Sequence, residues 1–178
     1  VGRNDGNITG SFSSATVSAT NGDQGAGGAM NFMQGGIGGL AGSSQGPITD
    51  SYATGSVNGI NDVGGLVGFT MGAIAASYST GAVNATGTNG GGLVGFLFEP
   101  AVPLLTDTFW DTTTSGQAAS AAGANASTGL ATVAMKQKAS FTNFRFDNDP
   151  GAAWTIRENN SYPLLIEMLP PIFVKPND

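Results

Sequence analysis

Val63-Gly64-Gly65-Leu66-Val67-Gly68 returns further along the chain as Gly90-Gly91-Gly92-Leu93-Val94-Gly95, and a weaker copy stands at Ile37-Gly38-Gly39-Leu40-Ala41-Gly42. Between the copies, Ile48-Thr49-Asp50-Ser51-Tyr52-Ala53-Thr54-Gly55-Ser56-Val57 is echoed by Ile74-Ala75-Ala76-Ser77-Tyr78-Ser79-Thr80-Gly81-Ala82-Val83. A unit this short cannot bury its own apolar face. When it recurs at nearly fixed spacing, it stacks on its neighbours. The repeat therefore decides the fold class.

Aromatic residues set the spacing. Phe12, Tyr52, Tyr78 and Phe109 occupy equivalent places, separated by 40, 26 and 31 residues. A unit of about 26 residues accounts for the shortest step, and the longer steps mark insertions. The β-formers Ile48, Thr49, Tyr52 and Val57, with Thr54-Gly55 as a turn signal, predict short strands between turns. The expected fold is all-β: a right-handed parallel β-helix, or β-solenoid, with coils of about 26 residues, insertion loops and a C-terminal cap. Leu40, Leu66 and Leu93 then form one interior ladder, and Ile8, Ile48, Ile74 and Leu105 another. Gly64, Gly65, Leu66, Gly68, Gly91, Gly92, Leu93 and Gly95 are the structural repeat residues. Their glycines suit positive φ or close approach of the next rung.

Residues 1–111 read as these repeats, with insertions near 18–36 and 96–104. The second insertion is strongly apolar, and Phe96, Leu97, Phe98, Val102 and Leu104 are its candidate partner-contact residues. Insertions in solenoids project as loops, often on the binding face. Residues 112–169 read as a loop followed by a capping region, and 170–178 as a proline-rich exit tail. Thr132 to Lys138 predicts a short helix with Thr132 as its N-cap. Trp154-Thr155-Ile156 and Tyr162-Pro163-Leu164-Leu165-Ile166 read as closing strands, and Phe141 to Ile166 as a cap over the open last rung. The chain opens on Val1-Gly2-Arg3-Asn4, which aligns inside a repeat, so a piece of a longer protein is expected.

Composition excludes several functions. The net charge is −6, and no basic residue falls between Arg3 and Lys136. The long acidic stretch has no basic patch to neutralise phosphates, so neither nucleic acid nor anionic lipid is expected as a partner. Cysteine and histidine are absent from the sequence. That removes disulfides, thiolate sites and the commonest general base and zinc ligand. No apolar run reaches the roughly 18 residues of a membrane helix, so no membrane insertion is expected. The 29 glycines come with 40% hydrophobic residues and without a collagen period, which points to ordered tight turns rather than disorder.

Glycan-cleaving enzymes also use parallel β-helices, and their sites need clustered carboxylates. Asp107 and Asp111 are close in sequence, and Asp50 and Asp62 fall in neighbouring turns. No Lys, Arg or His completes such a site in that stretch. No catalytic residue, metal ligand or cofactor is assigned. Asp147-Asn148-Asp149-Pro150-Gly151 has half the alternating oxygens of a calcium loop without the downstream glutamate, and a turn is the expectation. Asn7, Asn84, Asn125 and Asn159 head formal glycosylation acceptors.

Gly-Gly-Leu-Val-Gly with Ser-Tyr-x-Thr-Gly-x-Val upstream resembles the GLUG motif of large bacterial surface and secreted proteins, notably filamentous-haemagglutinin-like adhesins. The order Thr108-Phe109-Trp110-Asp111-Thr112, Ser115-Gly116-Gln117, Met135, Phe141, Trp154-Thr155-Ile156 and Tyr162-Pro163-Leu164 is similar to the order usual after a GLUG array. The resemblance implies a non-catalytic structural or adhesive segment, secreted or at the cell surface, that acts as a rigid stalk or presents a ligand-binding loop. A host or matrix glycan or protein is the expected partner. The alternative is a self-assembling subunit of an extracellular filament or matrix, joined head to tail. A carbohydrate-active β-helix enzyme is the remote alternative.

Overall fold

The computed structural model describes residues 2–19, 35–98, 105–121, 127–147 and 149–170. The described chain is all-β with very little helix, and its strands stack in parallel, as in a β-helix. One sheet joins Arg3–Asn4, Ala41–Ser44, Val67–Thr70 and Val94–Leu97. A second joins Ile37–Gly38, Val63–Gly64 and Gly90–Gly91. A third runs from Ile8–Thr9 and Phe12–Ser13 through Ile48–Thr49, Tyr52–Ala53 and Ile74–Ser79 to Leu105–Asp111 and Ser127–Leu130. A fourth joins Val17–Ser18, Val57–Gly59 and Val83–Ala85.

The registers follow the sequence alignment. Ile48 pairs with Ile74 and Ile74 with Leu105. Tyr52 pairs with Phe12 and Tyr78, and Tyr78 with Phe109. Leu40, Leu66 and Leu93 are buried in one cluster with Ile48, Ile74, Val67 and Val94, which forms the interior. Each such side chain contributes about 1.5–3 kcal/mol relative to exposure. Ile37, Val57, Val63 and Val83 fill one corner as a smaller cluster.

The third sheet contains a device that simple alternation does not predict. Gly10, Asp50, Ala76 and Asp107 share a register position and all have left-handed backbone, with φ of 58°, 46°, 45° and 49°. Each kink reverses which face the following side chains take. Ile48 and Ala53 both lie in the interior cluster, and Tyr52 lies in a separate one outside it. The residue after the kink is Ser or Thr. Ser51 Oγ donates to the Thr49 carbonyl at 2.7 Å and accepts the Ser11 N–H at 3.2 Å. Ser77 Oγ repeats this with the Ala75 carbonyl at 2.7 Å and the Ser51 N–H at 3.1 Å. The hydroxyl thus meets the hydrogen-bonding demand that the kink creates in a fully buried place.

Alanine is the poorest fit in this column, because left-handed backbone costs an L-residue roughly 1–2 kcal/mol. Ala76→Gly relieves that strain and adds unfolded-chain entropy of roughly 0.5–1 kcal/mol. A net gain of about 0.5 kcal/mol is expected as a higher urea midpoint at unchanged slope.

Parallel stacking continues beyond Asp111. Asp111 caps a one-turn α-helix, Thr112–Ser115, and Ser127–Leu130 then pairs with Thr108 through Asp111. The stretch expected to be a loop therefore holds a helix and the start of a strand. Trp110 fills the interior here, at the position of Ala53 and Ser79 in earlier rungs. The short helix expected over 132–138 is present only as a 3₁₀ turn, Ala134–Lys136, which starts later than expected and has no side-chain cap. The Met135 N–H bonds to the Ala131 carbonyl at 3.0 Å, so Thr132 lies inside the hydrogen-bonded turn rather than at its cap, and its hydroxyl donates to Asp111 Oδ2 at 2.7 Å.

The aromatic region after Phe141 also packs differently from the expectation. Trp154–Thr155 and Leu164–Leu165 pair antiparallel, the one such pairing among the described strands. This unit covers the flank of the stack. Phe141, Phe144, Phe146, Trp154 and Leu165 bury against Tyr52, Tyr78 and Phe109 from three successive rungs. The reversed alternation sends that aromatic column outward, so it is the flank that needs cover.

Candidate functional site: flank and exposed surfaces

Asp111 organises the flank. It is fully buried, and its carboxylate accepts four hydrogen bonds. Oδ1 takes the N–H groups of Thr113 at 2.8 Å and Thr114 at 3.1 Å. Oδ2 takes the hydroxyls of Thr132 and Tyr162, both at 2.7 Å. One side chain thus joins the fourth rung, the helix and the C-terminal segment. Trp154 Nε1 donates to Asp50 Oδ1 at 3.0 Å on the second rung, and the Tyr78 hydroxyl donates to the Pro163 carbonyl from the third.

The protein has three tyrosines, and all sit in this unit. Burial raises the Tyr162 hydroxyl to about 12, helped by its bond to Asp111 and by the Asp111 charge. Burial pushes Tyr78 well above its usual value, with the Tyr52 and Tyr162 charges adding to it, and burial also raises Tyr52. The folded state therefore keeps protons that the unfolded chain releases near pH 10. This contribution is complete below that pH and is lost as pH rises through the folded values. Absorbance at 295 nm should show little tyrosinate near pH 10. It should then rise together with loss of structure around pH 12 and above. Three independent titrations near the ordinary value would show that the flank is not packed this way.

The other carboxylates considered for catalysis are also engaged. Asp107 accepts from Asn143 Nδ2 at 2.9 Å, and Asp62 from Asn89 Nδ2 at 2.6 Å. In the calcium-like turn, Asp147 accepts the Thr155 hydroxyl at 2.8 Å and Asp149 the Phe146 N–H at 3.1 Å, and Asn148 lies outside the described residues. Among the described residues, no group of three or more His, Cys, Asp or Glu is placed to hold a metal ion. No described helix is long and apolar enough to cross a membrane.

The apolar insertion starts later than the sequence implied. Phe96 and Leu97 belong to the strand Val94–Leu97, and the Phe98 N–H bonds to the Thr70 carbonyl at 3.0 Å. Leu97 is buried in the interior cluster, and the half-buried Phe96 stacks on Phe69 at 5.7 Å. Leu97 is thus a core residue, because its strand position alternates with Phe96. Val102 and Leu104 lie outside the described residues, as do 20–34 of the first insertion, Asn125 and 171–178 of the exit tail.

Short polar side chains form columns on the exposed face of the fourth sheet. Asn58 Nδ2 donates to Ser18 Oγ at 3.1 Å, Asn84 Nδ2 to Asn58 Oδ1 at 2.8 Å, and Ser56 Oγ to Thr16 Oγ1 at 3.2 Å. The sequence showed these residues as turn and strand formers. Sequence reasoning missed the buried Ser51, Ser77 and Thr108 column and Asp111 as an acceptor of four bonds. The available signal was the recurrence of Ser one place before each Tyr.

Residues 33–58 match the family model described as the GLUG motif. That range contains the Ile37 copy and the Ser51-Tyr52 segment. No curated protein matches the chain, and no solved structure does.

Proposed function

We propose that this chain is a non-catalytic structural or adhesive segment of a large secreted or cell-surface bacterial protein, serving as a rigid stalk or a ligand-presenting module. It winds as a right-handed parallel β-helix with coils of about 26 residues, the hand that parallel crossover connections overwhelmingly take. The observation that carries this reading is the use of the repeat. Its glycines, leucines, serines and aromatics go into stacking rungs, and the GLUG match at residues 33–58 covers one copy of the repeat. The carboxylates that a glycan-cleaving site would need are instead occupied in hydrogen bonds that hold the stack and its flank together. Glycans or matrix proteins are the expected partners, met by the polar columns and the loops.

Incubating the purified chain with acidic and neutral polysaccharides, with and without calcium, should release no oligosaccharide. A glycan and matrix-protein array should show binding without turnover. Metal-dependent cleavage would overturn the reading in favour of an enzyme.

A further inference from the structure

The chain holds three Asn-Gly pairs: Asn21-Gly22, which lies outside the described residues, Asn58-Gly59 and Asn89-Gly90. In such a pair no side chain shields the glycine nitrogen, which can attack the preceding carboxamide wherever the backbone lets the two meet. The two described pairs stand in opposite surroundings. Asn58 lies mid-strand in Val57–Gly59, and its carboxamide is held at both ends. Nδ2 donates to Ser18 Oγ at 3.1 Å, and Oδ1 accepts Asn84 Nδ2 at 2.8 Å. Gly59 is buried and pairs with Ala85. The Val57 N–H bonds to the Ala82 carbonyl, so ladder alternation turns the Gly59 N–H into the same third rung.

Asn89 stands between the strands Val83–Ala85 and Gly90–Gly91, where residues 86 to 90 are all exposed. Its backbone is left-handed, with φ of 60°, and it stacks on Asp62, which is left-handed at 51°. The Val63 N–H bonds to the Asn89 carbonyl at 3.0 Å, so alternation turns the Gly90 N–H away from the second rung. Asn89 Nδ2 donates to Asp62 Oδ1 at 2.6 Å, and among the described residues this is the one bond that its carboxamide makes. Asp62 is buried, so it matters that the group stacked on it is a donor and not a second carboxylate.

We propose that Asn89-Gly90 is a self-modification site, which loosens the third rung from the second as the protein ages. The Gly90 nitrogen attacks Asn89 Cγ, its proton passes to the side-chain nitrogen, and that nitrogen leaves as ammonia. The new N–Cγ bond closes a succinimide ring. Water adds to one of the two ring carbonyls and opens it, giving aspartate by one route and isoaspartate by the other. Water is the one co-reactant, and nothing is oxidised or reduced. Either product sets a carboxylate where an amide had donated to Asp62. Like charges at that distance repel. Isoaspartate also lengthens the main chain by a methylene and takes it out of register with Val63. The Asn58 ladder is left intact.

Purified chain, incubated folded in mildly alkaline buffer, should convert amide to acid at Asn89, with isoaspartate among the products. Peptide mapping by mass spectrometry should find this at least about tenfold faster than at Asn58. In concentrated urea both pairs are released, and the two rates should converge, which ties the difference to the fold. Asn89→Asp reproduces one product and should lower the urea midpoint at neutral pH. Combining it with Asp62→Asn restores an amide opposite a carboxylate and should recover part of the loss. An Asn89 that keeps its amide, or converts no faster than Asn58, would overturn the site. An Asn89→Asp chain as stable as wild type would overturn the loosening. The chemistry needs no partner, so these outcomes are independent of the stalk or adhesive reading.

Discussion

Asp111→Ala should destabilise the chain by about 3–5 kcal/mol and release the C-terminal segment from the flank. The substitution removes the acceptor for two hydroxyls and two backbone N–H groups at a fully buried site. Each buried donor left without a partner costs about 1–3 kcal/mol, and the lost helix cap contributes about 1 kcal/mol within that total. Denaturant unfolding followed by tryptophan fluorescence reports it directly, since Trp154 is fully buried in the flank cluster. Asp111→Asn keeps one acceptor oxygen and should fall between alanine and wild type. A change below about 1 kcal/mol for alanine would mean that these bonds do not hold the segment.

Gly65→Ala is the second large effect. A Cβ at Gly65 would stand 2.2 Å from the Gly92 carbonyl oxygen and 2.8 Å from Ser79 Oγ. The first neighbour is backbone of the adjoining rung and cannot swing away, so the rungs must separate. A loss of about 3 kcal/mol or more is expected, at the upper end of overpacking costs. For a chain of this size it should lower the melting temperature by roughly 6–12 °C. Gly6→Ala is the control, since nothing lies within 4 Å of its Cβ direction, and it should stay within about 0.5 kcal/mol of wild type.

These glycines also show what the sequence could and could not disclose. The motif copies marked the rungs, and their registers follow from alignment alone: Leu40, Leu66 and Leu93 are interior, and the aromatic column is aligned. The reason for Gly65 was left open between positive φ and crowding. Its backbone is not left-handed, so crowding by the next rung is the cause. The side to which Phe12, Tyr52, Tyr78 and Phe109 project was not legible. It depends on a kink at Gly10, Asp50, Ala76 and Asp107, a column of Gly, Asp, Ala and Asp that no single residue type marks. With that direction hidden, the aromatic C-terminal segment read as a cover for the last rung instead of for the flank. The helix expected from Thr132 forms as a 3₁₀ turn, Ala134–Lys136, and it is the N-cap assignment that does not hold. The hydrogen-bonded turn starts one residue before Thr132, with the Met135 N–H on the Ala131 carbonyl, so Thr132 is inside it and its hydroxyl is turned to Asp111, 21 residues away.

The flank unit changes how the stack comes apart. A stack of rungs held only by nearest neighbours frays from its ends, each rung leaving at the cost of one interface. Here Trp154 bonds to the second rung through Asp50, Pro163 to the third through Tyr78, and Tyr162 to the fourth through Asp111. No one of these rungs can leave without giving up its share of the common aromatic cluster. The three are thereby made to melt as a single cooperative block, and a load pulling along the chain meets all three interfaces in parallel rather than one after another.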